Sequence, residues 1–250
     1  MNNKNQIIQK CKKLLSAYEQ GLLGQTVMPE DSNPGFSGSD REMQIAYFTL
    51  PMALNYQRNS YGLWEAALKT FNDPETKSVF DVEKVSKMDP EELKEKLLKH
   101  RLALQPNKHT HTWREISKTV YDIWGSFSNL IDTADHDFLK LKDIFQNKYK
   151  KGLPYISGPK IFNYWSFILK NYGGVINLGN LQSIDIAPDT HVTKCSVKLG
   201  VITEEEANKL TKEQISERWR KILDGSDINP IDMHPPLWFW SRNNFQFKLE

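Results

Sequence analysis

Two glycine–proline turns close together constrain this chain more than any other feature. The segment from position 152 to position 160 reads G-L-P-Y-I-S-G-P-K. Glycine lets the backbone approach another backbone or a phosphate closely, and proline suits the first turn of a following helix. The pattern therefore predicts two helices joined by a tight hairpin, with the second helix directing its N-terminal amides toward an anion.

Helical signals run through the rest of the chain. Residues 4–23 repeat apolar side chains every three or four positions, and Asp89-Pro90 and the capping box that begins at Thr211 mark helix starts. No segment shows the sustained two-residue alternation of a strand. We therefore predict an all-α fold, with a loop rich in Gly, Pro and Ser at 28–40.

The composition is that of an ordinary soluble globular protein. Hydrophobic residues make up 39% and charged residues 26% of the 250 positions, which suits one large domain or two small ones. No apolar run approaches the roughly 20 residues of a membrane span, and the N-terminus lacks the apolar core of a signal peptide. Two cysteines, Cys11 and Cys195, are too few for a disulfide framework or a four-cysteine iron–sulfur site. We expect a cytoplasmic protein with reduced thiols.

Positive charge is concentrated around the predicted hairpin. From position 137 to position 170 there are seven lysines and two aspartates, although the whole chain has a net charge of only +2. A basic strip beside a turn that can receive a phosphate suits a polyanion such as DNA. The same charges also fit a solvated lysine-rich helix face, so this pattern alone leaves both interpretations open.

Two side chains have the chemistry needed to cut an N-glycosidic bond. Lys160 falls in the first turn of the predicted second helix, and its amine can attack a sugar carbon. Asp189 precedes T-H-V at another predicted helix start, where a carboxylate can cap the helix and can also stabilise positive charge on a sugar. A surface lysine and a purely capping aspartate are the structural alternatives.

These two side chains occur in a recognisable order. The hairpin end G-P-K, the later segment P-D-T-H-V and the helix end at Leu199-Gly200 resemble the helix–hairpin–helix DNA glycosylase superfamily. The long gap between Lys160 and Asp189, the C-terminal L-W-F-W-S-R segment and the stretch from Asn55 to Phe71 are most similar to the archaeal GO-type subfamily, whose members excise 8-oxoguanine. The resemblance spans most of the chain, but only a small number of residues match motifs that are specific to the family.

The resemblance implies an organisation and a partner. It implies two helical subdomains, 41–174 ending in the helix–hairpin–helix and 1–40 plus 175–250, with an active-site cleft between them. The expected partner is double-stranded DNA with a flipped-out base, bound by a monomer in the nucleoid, with no membrane involved. The cysteines of the endonuclease III branch are absent, so no iron–sulfur cluster or other cofactor is expected beyond a monovalent cation at the hairpin.

The resemblance also implies roles for individual residues. Lys160 would be the Schiff-base nucleophile, and Asp189 would be the carboxylate that assists it. Three aromatic residues would line the pocket of the flipped-out base, namely Trp64, Tyr164 and Trp238. Five residues would contact the DNA backbone, namely Lys150, Lys151, Ser157, Gly158 and His191. The implied activity is excision of a damaged or modified base, with 8-oxoguanine favoured and strand cleavage by β-elimination left open.

The chain departs from the family pattern in two places. The usual hairpin L-P-G-(V or I)-G-x-K is here L-P-Y-I-S-G-P-K, and the segment Q-P-N-K-H-T-H-T-W from Gln105 to Trp113 has no GO-type counterpart. We interpret that segment as a loop whose His109 and His111 lie near phosphate, because further metal ligands are not spaced nearby.

The departures leave two other functions open. One is the same chemistry on a bulkier base, such as a glucosylated hydroxymethylcytosine in bacteriophage DNA, which would make this a defence protein. The other is a non-catalytic module that binds DNA through the hairpin alone.

Overall fold

A computed structural model of the protein describes residues 3–38 and 40–249, and its regular structure is helical. No β-strand occurs in these residues; one isolated parallel bridge joins Asp137 and Gly179. The all-α prediction is therefore confirmed. The α-helices are α1 (Asn3–Glu19), α2 (Arg41–Ala53), α3 (Ser60–Asn72), α4 (Val82–Lys87), α5 (Pro90–Lys99), α6 (Pro106–Trp124), α7 (Phe127–Thr133), α8 (Phe138–Asp143), α9 (Pro159–Asn171), α10 (Thr190–Leu199), α11 (Glu204–Lys209), α12 (Lys212–Leu223) and α13 (His234–Arg242).

Several helices begin where the capping signals of the sequence predict. Asp89 accepts hydrogen bonds from two first-turn amides of α5, and Pro90 occupies the first position of that helix. Thr203 and Thr211 each form a capping box, at the starts of α11 and α12. A capping side chain satisfies an amide that the helix itself leaves unpaired and is typically worth about 1 kcal/mol. Local sequence therefore fixes these helix starts.

The chain divides into two compact units. The terminal unit joins the chain up to Met28 to everything from Leu181 onward, and the hairpin unit is Pro29–Asn180. The sequence-based bounds of the hairpin subdomain are 41–174, whereas the compact unit also takes in residues 29–40 and 175–180. A short 3-10 turn at Pro29–Asp31 packs on α3, which explains why the preceding loop belongs with the hairpin unit.

Helices α2 and α6 form the centre of the hairpin unit. The second half of α2 is buried throughout, and it packs against α3, α7 and α9. Helix α6 packs against α4 and α5, and the indole Nε1 of Trp113 donates a hydrogen bond to the Val79 carbonyl at 2.8 Å. Apolar burial of this kind stabilises a fold by roughly 1.5–3 kcal/mol per large side chain. The buried side chains of α2 and α6 therefore stabilise the unit that carries the hairpin.

A hairpin joins α8 to α9. Helix α8 continues into a π-helical segment, Ile144–Lys148, and a turn over residues 149–158 then leads into α9. Leu153 and Ile156 point into the core. A Cβ on Gly152 would lie 2.3 Å from Thr119 Oγ1 on α6, so glycine is the residue that lets the turn lie directly against that helix.

The terminal unit packs around α13. Helices α1 and α10 both pack against it, and α12 packs against α1. Cys195 Sγ donates to the Leu237 carbonyl at 3.1 Å, and Trp219 Nε1 donates to Ser196 Oγ at 2.8 Å. Cys11 and Cys195 are buried free thiols, as their positions in amphipathic helices predict.

The segment from Gln105 to Trp113 is helical, so the loop prediction for it is wrong. Helix α6 already begins at Pro106, which places His109 and His111 in its first two turns. His109 is buried, and its Nδ1 accepts a hydrogen bond from the Leu104 amide at 3.2 Å. Burial lowers the pKa of His109 to about 4, so this imidazole is neutral near pH 7. The pattern was missed because histidine and threonine, rather than aliphatic residues, form the buried face of these turns.

No helix in residues 3–38 and 40–249 is both long enough and apolar enough to cross a membrane.

Candidate active site

Lys160 lies at the exposed start of α9. Gly158 is the N-cap residue, Pro159 occupies the first helical position and Lys160 the second. The Lys160 side chain is exposed, and within the described residues of the hairpin unit no hydrogen bond or ion pair engages its Nζ. A lysine without an internal partner is available to a ligand, which is a requirement for a nucleophile.

Tyr164 lies one helical turn after Lys160 and links α9 to a buried carboxyl group. Side chains four positions apart lie on the same face of a helix. The Tyr164 hydroxyl donates a hydrogen bond to Glu30 Oε1 at 3.0 Å, and its ring stacks on Phe167 with centroids 5.8 Å apart. Tyr164 is half-buried.

Glu30 is the most unusual titratable group of the hairpin unit. Its residue is only 1% exposed, and its second carboxyl oxygen, Oε2, has no hydrogen-bond partner. Desolvation by burial raises the pKa of Glu30 to about 7, and the charge of Asp31 adds to this rise. A backbone amide and the Tyr164 hydroxyl oppose it. The carboxyl group is therefore near its midpoint of protonation at neutral pH.

Trp64 lies beside Glu30 in the core and not on an open wall. Its side chain is fully buried, with Tyr47 and Phe48 ring centroids at 6.0 and 5.6 Å. The indole N–H lowers the pKa of Glu30, yet Nε1 lacks a partner with the geometry of a hydrogen bond. The indole N–H therefore acts on the Glu30 carboxyl group as a nearby dipole and not through a hydrogen bond. Two buried polar atoms, Trp64 Nε1 and Glu30 Oε2, are thus left unsatisfied, which is uncommon and costly.

Sequence reasoning did not identify Glu30. It lies in the loop at 28–40, where glycine, proline and serine suggest exposure. The available signal was its neighbourhood, because V-M-P immediately before it is apolar. Asn33 Nδ2 donates to the Glu30 carbonyl at 3.0 Å, and the Tyr47 hydroxyl donates to the Ser32 carbonyl at 2.8 Å. These bonds hold the loop so that the carboxyl group points inward.

In the terminal unit, Asp189 is the N-cap of α10. Its Oδ1 accepts a hydrogen bond from the Val192 amide at 2.8 Å, and its carbonyl accepts one from Thr193 Oγ1 at 2.6 Å. Asp189 is half-buried, and within this unit its Oδ2 accepts no hydrogen bond. The capping interpretation is therefore confirmed, and one carboxylate oxygen remains for chemistry.

Two other predicted residues lie near the start of α10. His191 Nδ1 is 3.1 Å from Ser241 Oγ, and its ring meets Trp238 edge-on with centroids 5.8 Å apart. The Arg242 guanidinium carbon lies 4.7 Å from the centre of the Trp238 ring, a cation–π contact. Trp238 is half-buried. The α10 start and α13 thus bring together an imidazole, an indole and a guanidinium group.

The residues predicted to contact the DNA backbone differ in exposure. Lys150 and Lys151 are exposed on the hairpin. Neither lysine forms an ion pair with another described residue of the hairpin unit. Gly158 is half-exposed, whereas Ser157 is only 7% exposed. Ser157 therefore offers little surface to a phosphate.

Among residues 3–38 and 40–249, no three or more His, Cys, Asp or Glu side chains are arranged to hold a metal ion.

The predicted site residues therefore fall into two groups. In the hairpin unit, Tyr164 and Trp64 lie beside Glu30, and Lys160 precedes Tyr164 by one helical turn. In the terminal unit, the His191 ring contacts Trp238, and Asp189 caps the helix that carries His191. No protein-family model and no curated protein matches this chain. Its function has to be argued from these side chains.

Proposed function

We propose that this protein is a DNA N-glycosylase that uses Lys160 as its nucleophile and Asp189 as the assisting carboxylate. The observation that carries the proposal is the grouping on α9: an exposed, unpartnered lysine lies one turn before a tyrosine bound to a buried carboxyl group that has an oxygen to spare. A buried carboxyl oxygen without a hydrogen-bond partner is costly, and a base whose polar groups reached it would satisfy it, whereas binding of DNA through the hairpin alone would not.

The reaction begins with base flipping, because the glycosidic carbon cannot be reached inside a duplex. The bond between C1′ and the base breaks, and the base leaves with the electron pair and takes up a proton. Asp189 stabilises the positive charge that develops on the sugar. The Lys160 amine, once deprotonated, forms a bond to C1′ and gives up one proton. The bond between C1′ and O4′ then breaks, O4′ takes up a proton, and a protonated imine is left. Loss of a proton from C2′ would break the bond from C3′ to the 3′ phosphate oxygen, so the phosphate would leave and the strand would be cleaved.

Glu30 is the residue we assign to base selection. An ionised carboxylate accepts from the N–H groups of a guanine-type base such as 8-oxoguanine. A protonated carboxyl group donates one hydrogen bond and accepts another, which matches the ring nitrogen and the amino group of cytosine. Because its pKa is raised to about 7, Glu30 offers both forms near neutral pH. This supports 8-oxoguanine as the first candidate substrate and a modified cytosine as the second.

Borohydride trapping tests the proposal, because it reduces an imine to a stable protein–DNA bond. Two substrates are compared: a duplex with 8-oxoguanine, and phage DNA with glucosylated hydroxymethylcytosine. Lys84→Gln is the matched control, since Lys84 is exposed and pairs only with Asp81 on the surface. We expect a trapped complex with wild type and Lys84→Gln and none with Lys160→Gln.

The other outcomes separate the alternatives. The DNA that yields the complex distinguishes repair of oxidised bases from defence against phage. Abasic sites without a trapped complex would mean that water replaces Lys160 as the nucleophile. DNA binding without any product on either substrate would refute the proposal and favour the non-catalytic module.

A further inference from the structure

A second basic site lies in the hairpin unit and uses none of the residues assigned above. An open pocket of about 300 Å³ lies between the start of α3 and the loop after α5. Arg58, Lys69 and Arg101 line this pocket, which we call the Arg58 pocket, and Glu65 is its one acidic lining residue. Three cationic side chains and one carboxylate give these four lining residues a formal net charge of +2.

The cations of the Arg58 pocket form no ion pair with an acidic side chain of residues 3–38 and 40–249. No ion pair joins Arg58, Lys69 or Arg101 to a carboxylate in the described residues. Arg58 instead donates to three backbone carbonyls: Nη1 to Leu102 at 2.6 Å, and Nη2 to Arg101 at 3.2 Å and to Gly62 at 3.4 Å. These bonds fix the guanidinium group without neutralising it, so its charge remains available to an anion.

The fold holds Arg58 and Arg101 together although their charges repel. Desolvation lowers the pKa of Arg58, and the charge of Arg101 lowers it further. The loop that carries Arg101 is held at one end by Arg58 and at the other by the hydrogen bond from the Leu104 amide to His109. The repulsion therefore cannot relax by a small movement of the loop. A bound anion would offset it.

Contacts between side chains connect the Arg58 pocket to the hairpin. The Tyr155 hydroxyl at the hairpin tip donates to the Asn55 carbonyl, and its ring meets Tyr56 with centroids 5.9 Å apart. Lys108 Nζ lies 4.2 Å from the centre of the Tyr56 ring. Arg58 follows two residues after Tyr56. Aromatic and basic side chains thus run from the hairpin to the pocket, which is the surface chemistry of a nucleic-acid backbone site.

We propose that the Arg58 pocket binds a phosphate group of the DNA backbone, as a second anchor beyond the hairpin. This proposal rests on the proposed function only in taking DNA as the ligand. It requires the protein to bind DNA, but it does not require base excision. The same chemistry could also hold free phosphate. The hairpin contact makes DNA the favoured source, because one strand would meet both sites.

The test measures how DNA affinity depends on salt. An undamaged fluorescent duplex is titrated with full-length protein at about 50 to 200 mM salt, where each lost phosphate contact lowers the slope of log K against log salt by about 1. Arg101→Gln/Lys69→Gln changes two exposed side chains that form no hydrogen bond or ion pair with the part of the chain that the structure describes. Lys84→Gln/Lys87→Gln is the control, because it removes the same charge from surface ion pairs on α4. We expect Arg101→Gln/Lys69→Gln to bind the duplex roughly tenfold more weakly, because it loses one or two charge-assisted hydrogen bonds to phosphate.

The result does not depend on whether the protein excises a base. A smaller salt slope in Arg101→Gln/Lys69→Gln alone supports the Arg58 pocket even if no glycosylase product is ever found. Equal slopes and affinities in the two double variants overturn it even if the enzyme is active, and so does a wild-type protein that binds no duplex. If the first variant loses only the binding of inorganic phosphate, measured by calorimetry, the pocket is a free-phosphate site and the DNA assignment is wrong.

Discussion

The buried carboxyl group of Glu30 makes the strongest quantitative prediction. Its pKa is raised to about 7 from an ordinary 4.5. A raised carboxyl pKa means that the folded protein holds a proton which the unfolded chain releases, so the stabilisation is complete below pH 4.5 and is lost as the pH rises through 7. Each pKa unit corresponds to 1.36 kcal/mol, so the titration of Glu30 changes the free energy of unfolding by about 3 kcal/mol.

Glu30→Gln removes this titration and nearly keeps the shape of the protonated side chain. The glutamine oxygen can still accept the hydrogen bond from Tyr164, and its amide has no charged form to desolvate. Between pH 5 and pH 8 the free energy of unfolding of wild type should fall relative to the variant by about 2.5 kcal/mol. All other groups titrate in both proteins, so their contributions cancel in this difference.

Urea unfolding of both proteins at pH 5, 6, 7 and 8 measures the difference directly. Equal m values across the series would show that the two proteins unfold from comparable states. Glu95→Gln, at an exposed position on α5, controls for the substitution itself. A difference between wild type and Glu30→Gln that stays constant with pH would refute the reasoning, as would a variant that is less stable than wild type at pH 8.

Three further predictions follow from contacts at single residues. Tyr164→Phe removes a hydrogen bond that lowers the pKa of Glu30, so the pH midpoint of the stability change should move upward in the same urea series; a downward shift would contradict this. Asp189→Asn should keep the α10 cap, whereas Asp189→Ala should lower the free energy of unfolding by about 1 kcal/mol. Both variants should lose base release. An Asp189→Asn variant that still releases the base would show that the mechanism does not need the carboxylate. Gly152→Ala should destabilise by about 1–3 kcal/mol because its Cβ meets Thr119 Oγ1 at 2.3 Å, and thermal melts should show partial recovery when Thr119→Ala is added.

The sequence predicted those features that depend on neighbours along the chain. The cap at Asp89, the capping box at Thr211 and the N-cap role of Asp189 are all local hydrogen bonds, and all three are confirmed. The hairpin turn is only partly local, because the residue with a left-handed backbone in it is Tyr155 and not a glycine.

Features that depend on long-range packing were not predictable in this way. Glu30 is buried beside Tyr164, which lies more than a hundred positions later in the chain and donates a hydrogen bond to it. The full burial of Trp64 follows from its contacts with α2. The early start of α6 was missed because His109 is buried there in a neutral form, which composition alone does not indicate.

The π-helical segment Ile144–Lys148 places one extra residue in the turn before the hairpin. The Tyr149 amide bonds to the Ile144 carbonyl, five residues back, so this turn holds one residue more than an α-helical turn. Five residues of a π turn cover nearly the same angle as four residues of an α-helix, so the extra residue is taken up without redirecting the chain on either side. A single-residue deletion inside Ile144–Lys148 should therefore leave the hairpin in place, whereas the same deletion within α9 would turn the rest of that helix by about 100°.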